Sequence, residues 1–236
     1  MKREISIKRF KWGHIIEEKE FVADEKPVEL IINKTKKISF PMSPEELKAF
    51  AYGYLLTTGM ITSRDDVAEI EVNHYSVEVQ IPRLNTSPSG ELLPIAPNNR
   101  PPFETLIEPD YKELPNLYKS FTRFSNLFDE TGGIHYAASI NDVNTMLYFS
   151  EDVGRLNVVD KVIGKTVLMD TDLYSGFYSL MLNGKITGDV VTKSFMAGIR
   201  SIVSLTAPTS SAVAIARKNR VSLIGFLRGK TFNIYV

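Results

Sequence analysis

Apolar and polar residues alternate in short runs at the start of the chain. The pattern holds over 4–10 and 14–22, then over 28–33 and 36–40, and it predicts paired strands with one covered face. The period changes at Ser43-Pro44-Glu45-Glu46. Ser43 is a good N-cap, Pro44 suits a first helical turn, and Glu46 stands where a capping box needs a carboxylate. Leu47, Phe50, Ala51, Tyr54 and Leu55 follow at helical spacing and mark a buried face, with Gly59 just past the expected end. Strands are predicted over 67–72 and 75–81, joined by a turn at Asn73-His74, with Val77, Val79 and Ile81 on one face of the second.

Regular patterning stops over 83–103, a stretch dense in proline, asparagine, serine and glycine. Structureless stretches of that length are functional loops or linkers, so it is expected to be a mobile connection between two halves. An amphipathic helix is predicted over 113–128, with Leu114, Leu117, Phe121, Phe124 and Leu127 on one stripe and Pro115 in the tolerant first turn. Beyond it, strands are predicted over 134–140 and 145–149 around an Asn141-Asp142 turn, then a helix over 156–169 and a strand over 177–182. Asn183-Gly184 turns the chain into a helix over 187–197. A strand over 200–205, a helix over 210–218 and strands over 221–226 and 231–236 complete it. This alternation predicts an α/β layer, a sheet with helices on both faces, whose post-strand loops gather at one rim. The expected organisation is a smaller β-rich unit over 1–110, ending in the loop 83–103, followed by an α/β unit over 111–236.

Composition narrows the classes. Of 236 residues, 43% are hydrophobic and 24% charged, enough for a real core. Lysine plus arginine and aspartate plus glutamate both number 28, which argues against bulk nucleic acid or a membrane surface as the main partner. No apolar run approaches the roughly 18 residues of a membrane span. The first ten residues lack a secretory signal's apolar centre, so a cytoplasmic protein is expected. Cysteine is absent, which removes disulfides, thiolate and persulfide chemistry, and cysteine-bound metals. His14, His74 and His135 are the only histidines and lie far apart in sequence, so no zinc site is expected.

Four segments carry candidate chemistry. Glu151, Asp152, Arg155 and Asn157 crowd a predicted strand-to-helix turn, where α/β proteins place ligands. Arg155 offers a planar fork for phosphate or carboxylate, and the two acids are placed to hold it or to meet a ligand; a salt-bridged helix start without a ligand stands equally open. Thr131-Gly132-Gly133 allows close backbone approach beside His135, or is a plain glycine turn with a packed histidine. Thr209 and Ser210, after Thr206-Ala207-Pro208, form either an anion cradle or a helix cap. Phe226-Leu227-Arg228-Gly229-Lys230-Thr231 joins a flat ring to two cations, suited to a nucleotide, or is a basic hairpin turn. No Walker loop, Gly-x-Gly-x-x-Gly or Gly-x-Ser-x-Gly motif is present.

In order, Leu127-Phe128-x-x-Thr131-Gly132-Gly133-x-His135, Glu151-Asp152-Val153-Gly154-Arg155-x-Asn157-x-Val159-Asp160-Lys161-x-Ile163-Gly164, Ala207-Pro208-Thr209-Ser210 and Gly225-Phe226-x-Arg228-Gly229 resemble the formate dehydrogenase accessory family of the FdhD type. Pro27-Val28-Glu29-Leu30 and Gly59-Met60-Ile61 extend the resemblance to the first half. It implies a deaminase-like layered α/β domain beside a smaller β-rich one, a cytoplasmic homodimer, and formate dehydrogenase as partner. It implies binding of the molybdenum bis(molybdopterin guanine dinucleotide) cofactor, carried rather than used, with GDP as a surrogate ligand. The expected cofactor segment is Phe226 to Thr231, with the Thr131–His135 and Glu151–Asn157 loops nearby. It also implies sulfur passed on from a cysteine desulfurase, through a Cys-x-x-Cys pair in the loop between domains. Here that stretch is Asn85-Thr86-Ser87-Pro88-Ser89-Gly90-Glu91-Leu92-Leu93, and serine holds no persulfide. Ser150 and Leu156 replace an arginine and a histidine often found beside the central motif, and Asn183-Gly184-Lys185 replaces a Ser-Gly-Arg pattern. The sequence leaves three roles: a cofactor-holding accessory that carries no sulfur, or a docking or repurposed paralogue; the full transfer role with a partner's cysteine; and, last, an enzyme acting on a nucleotide-like substrate.

Overall fold

The computed structural model of the chain describes residues 1–82, 102–141, 144–169 and 179–236. The loop expected over 83–103, with the stretch that corresponds to the sulfur-carrying pair, lies outside the described residues save for its last two positions.

Two strands, β1 (Lys2–Lys11) and β2 (His14–Ala23), form a free-standing antiparallel ribbon, Lys2 opposite Ala23 and Lys11 opposite His14. Trp12 and Gly13 turn it with φ of 48° and 86°, the doubly positive geometry that matches strand twist in a two-residue hairpin. At this tip Phe10, Trp12 and Ile15 are exposed, Trp12 by 94%.

A four-stranded sheet follows, built from β3 (Lys26–Ile32), β4 (Lys36–Met42), β5 (Glu69–Val72) and β6 (Ser76–Gln80) in the order β4-β3-β6-β5. Alternation sets its covered face: Val28, Leu30, Ile32, Val77 and Val79 are all buried. Helix α1 (Leu47–Thr57) lies in the parallel crossover from β3 to β6. It starts at Leu47, with Glu46 as an N-cap in the left-handed region at φ 58° and no side-chain cap. The capping box expected at Ser43 does not form, because a distant segment holds Ser43. Its backbone N–H donates to Asp152 Oδ2 at 3.2 Å and its carbonyl accepts from Lys161 Nζ at 2.9 Å. Glu46, the expected partner in the box, pairs with Lys165.

The six-stranded sheet contains β7 (His135–Ile140), β8 (Met146–Asp152), β9 (Ser179–Leu182), β10 (Ser201–Ser204), β11 (Ser222–Arg228) and β12 (Thr231–Ile234), ordered β12-β11-β10-β9-β7-β8. Strands β9, β10 and β11 are parallel; β7, β8 and β12 pair antiparallel to their neighbours. One face packs on α4 (Arg155–Met169), α5 (Gly188–Met196) and α6 (Ser210–Asn219) through Val159, Ile163, Val191, Phe195 and Ala212. The other receives α2 (Leu114–Phe121) through Leu114, Leu117 and Phe121. Helices on both faces match the α/β expectation. The single helix expected over 113–128 is two. Ser125 breaks it, its hydroxyl accepting from the Phe128 N–H to start α3 (Asn126–Thr131). The apolar stripe therefore ends at Phe121, and Phe124 is 54% exposed.

The two sheets share one core, which runs from Val28 and Leu30 through Phe50 and Val159 to Leu180 and Leu182. Its centre is the contact of α1 with α4. A Cβ at Gly53 would lie 1.8 Å from the Asp160 carbonyl oxygen, and one at Gly164 would lie 1.7 Å from that of Ala49. Glycine is what lets the two backbones touch.

Candidate functional site

Because β7 runs against β9, the start of β7 and the end of β8 lie at the same edge as the carboxyl ends of β9, β10 and β11. This edge is the rim the alternation predicts. Asn183 Oδ1 accepts from the Tyr136 N–H at 3.1 Å. Ser204 Oγ donates to the Gly184 carbonyl at 2.7 Å and accepts from the Thr206 N–H at 3.0 Å. The Thr206 carbonyl accepts from the Phe226 N–H at 3.1 Å. A polar chain thus joins the loops after β9 and β10 to β11 at Phe226.

Strand β8 continues through Glu151 and Asp152, which the sequence placed in a turn, so the two acids point to opposite faces. Neither holds Arg155: among the described residues, no carboxylate forms an ion pair with it. Asp152 is fully buried and pairs with Lys161 at 2.6 Å, while accepting from the Gly154 N–H at 2.7 Å and Asn157 Nδ2 at 3.1 Å. Burial pushes its carboxyl up; Lys161, Gly154 and Asn157 pull it back. Asn157 also donates to the Pro41 carbonyl at 2.9 Å. A second buried cluster joins Asp160 to Lys193 at 2.8 Å and to the Thr57 hydroxyl at 2.7 Å, fastening α4 to α5 and α1. The polar residues of the central motif therefore divide. Asp152, Asn157, Asp160 and Lys161 hold the fold together, and their polar atoms are engaged within it.

Glu151 faces α3, where it accepts from Ser125 Oγ at 2.5 Å. Burial raises its pKa, with Ser125 opposing. Beside it lies a cleft of about 390 Å3 lined by Lys2, Phe124, Asn126, Leu127 and Glu130. Sequence reasoning gave no signal for that cleft, because the foot of β1 supplies part of it.

Arg155 opens α4 and His135 opens β7. Both reach Gly184, where a Cβ would stand 3.1 Å from Arg155 Cδ and 3.1 Å from His135 Nδ1. Arg155 Nε and His135 Nδ1 are buried and have no hydrogen-bond partner among the described residues. Burial holds the imidazole below its ordinary range; the Asn183 side chain opposes this, Arg155 reinforces it and Asp152 opposes it. Gly184 was legible only as half of an Asn-Gly turn, so its wedge role went unseen.

The remaining candidates lie along the rim or behind it. Gly132, at φ 62°, ends α3; Thr131 Oγ1 donates to the Leu127 carbonyl, and Gly133 packs on Ala23 at the foot of the ribbon. Thr209 caps α6 by accepting from the Ala212 N–H at 3.2 Å, and Ser210 is exposed in that first turn. Phe226 sits at a bulge between Gly225 and Arg228, with φ 54°, and the residue is 41% exposed. Such a conformation in an aromatic residue is sparsely populated and is held by its surroundings. Here the Thr206 bond holds it. Gly225 lies so close to that loop that a Cβ would come 2.8 Å from the Thr206 carbonyl. Leu227 is buried. Arg228 pairs across the sheet with Thr231, Gly229 and Lys230 form the turn, and both cations are exposed with no ion pair among the described residues.

Comparison with known proteins adds a lineage. A model of the FdhD/NarQ family matches residues 23–236. A sulfur carrier protein FdhD from Saccharolobus solfataricus is 32% identical, covering 98% of this chain and 96% of its own. A protein FdhD from Methanocaldococcus jannaschii is 30% identical, covering 100% of this chain and 96% of its own. A crystal structure of a formate dehydrogenase accessory protein from Desulfotalea psychrophila superposes with a TM-score of 0.84 at 25% identity, covering 99% of this chain and 96% of that one.

Proposed function

The chain belongs to the FdhD/NarQ family, and from that premise we propose that it is a formate dehydrogenase accessory protein that holds the guanine dinucleotide form of the molybdenum cofactor on the rim of its six-stranded sheet. The observation that carries this reading is the Phe226–Thr231 hairpin, which the Thr206–Phe226 bond fastens to the rest of the rim. Phe226 presents an open aromatic face, and Arg228 and Lys230 stand beside it without counter-ions among the described residues. A guanine diphosphate unit needs such a set: a flat apolar surface for the base and donors for the phosphates. The residues present therefore fit the group.

When bound, the cofactor supplies the molybdenum centre that a formate dehydrogenase uses. The chain's own residues would hold it: Phe226 would stack on a guanine, Arg228 and Lys230 would neutralise phosphate charge, and the strained bulge would keep the ring turned outward. The chain has no cysteine, so it carries no persulfide itself. In this reading, any persulfide that serves the cofactor would be held on a cysteine of a partner such as a cysteine desulfurase. A deaminase-like α/β layer, a homodimeric assembly and a cytoplasmic setting belong to the same proposal and come from the family likeness.

The test is recovery of the ligand. Protein purified from cells that make the cofactor is denatured and oxidised, and the released pterin is read by fluorescence alongside guanine nucleotide. Pterin and guanine released together in fixed ratio support the proposal. A preparation free of both, from cells shown to contain the cofactor, overturns it.

A further inference from the structure

We infer that the β1–β2 ribbon is an exchange arm between two copies of this chain, the apolar tip of each seated in the cleft beside α3 of the other. The inference rests only on the homodimeric part of the proposed function, whose contact surface it names, and leaves the ligand reading untouched. The ribbon precedes residue 23, where the family match begins.

The tip points to it first. Trp12 is 94% exposed, with Phe10 and Ile15 exposed beside it. Trp12 also takes the first turn position at φ 48°, where a two-residue hairpin favours asparagine or glycine and a bulky side chain is an outlier. Turn fit does not account for an indole there; a contact made by its large apolar face does. The charges along the ribbon are answered within it. Arg9 pairs with Glu18 and Glu20, and Lys19 with Glu4 at 2.6 Å. What the ribbon leaves open is apolar.

The cleft is the matching feature. It lies at the ribbon's foot, about 390 Å3 in volume, with Lys2, Phe124, Asn126, Leu127 and Glu130 among its walls. Phe124 and Leu127 continue the apolar stripe of α2 past the point where the chain itself buries it. Register and alternation put Phe10 and Ile15 on the same ribbon face as Lys2 and Phe21. Tip and cleft therefore lie at opposite ends of one face, roughly 30 Å apart at the rise of an antiparallel strand.

Two such faces laid antiparallel bring each tip to the other's foot, and a single two-fold axis makes both contacts alike. The stretch between holds Glu4, Lys8, Glu17 and Lys19, two acids and two cations, so no net charge opposes the pairing. The area suffices. Buried aromatic side chains contribute about 150–250 Å2 each; counted in both copies with the matching walls of two clefts, the contact reaches the ~1,200–2,000 Å2 of a standard interface.

The test is sedimentation velocity of the full chain across a concentration series, for the wild type, the tip variant Phe10→Ser/Trp12→Ser and the cleft variant Phe124→Ser, each checked by thermal melting. Trp12 is the only tryptophan, so its emission in the wild type reports the tip directly. The expected result is a wild-type dimer whose formation shifts that emission to the blue. Dimerisation is expected to weaken at least tenfold in the tip variant and several-fold in the cleft variant. A mixture of the two variants is expected to associate more tightly than either alone, since one tip–cleft contact survives. Dimers of equal strength in all three proteins overturn the arm and leave the homodimeric reading intact. Dimerisation weakened by the tip variant alone overturns the cleft as the seat. A folded wild type that stays monomeric at high micromolar concentration overturns both the arm and the homodimeric reading.

Discussion

Lys161 and Asp152 meet at 2.6 Å with both side chains at 0% exposure, and the same ammonium donates to the Ser43 carbonyl at 2.9 Å. One buried pair therefore fixes the start of α4, the end of β8 and the loop before α1. Removing one partner of a buried pair leaves an uncompensated charge, which costs about 3–5 kcal/mol. Lys161→Met is expected to destabilise the fold by that amount in urea unfolding. The double variant Asp152→Asn/Lys161→Met is expected to recover much of the loss, since no lone charge remains.

The contact of α1 with α4 makes a second prediction. Gly164 lies so close to Ala49 that any side chain must separate the helices. Overpacking of this kind typically costs about 1–3 kcal/mol. Gly164→Ala is expected to reach or exceed the top of that range, because the obstacle is backbone and cannot rotate away. A lowered melting temperature checks it; an unchanged one would mean the helices slide freely.

Glu151 supplies a pH dependence. Burial raises its folded pKa above the ordinary 4.5, so the folded state binds this proton more tightly than the unfolded state does. The resulting stabilisation is fully present below the unfolded pKa and is lost as pH rises through the folded one. Glu151→Gln keeps an acceptor for the Ser125 hydroxyl and removes the titration. It is expected to flatten the pH–stability profile in the window just above pH 4.5 without lowering stability at pH 7, as read by denaturant midpoints across that range.

Much of the architecture was legible because local pattern and tertiary packing agree. Val28, Leu30 and Ile32 alternate on a strand and all face the core. Thr209 reads as a cap and is one. The gathering of post-strand loops at one rim follows from topology alone. The illegible parts share a cause, which is that a distant group decides them. Ser43 looks like a cap, but Asp152 and Lys161, far along the chain, claim its backbone. Glu151 and Asp152 look like turn residues, and only burial against Lys161 and Ser125 makes them strand residues. Ser125 interrupts an apolar stripe that otherwise reads as one helix. The same limit applies to the site. Arg155 was visible as a phosphate-type donor, but its freedom from both acids depends on β8 turning them to opposite faces.

The most direct test of the central claim, that this rim holds a guanine nucleotide unit, is equilibrium titration of the purified chain with GDP, set against Phe226→Ala and Arg228→Ala. Base stacking on an aromatic ring contributes roughly 1–3 kcal/mol. Saturable binding is therefore expected, weakened about tenfold or more by Phe226→Ala and to a smaller degree by Arg228→Ala. The absence of binding at millimolar GDP, in protein shown to be folded, would contradict the account.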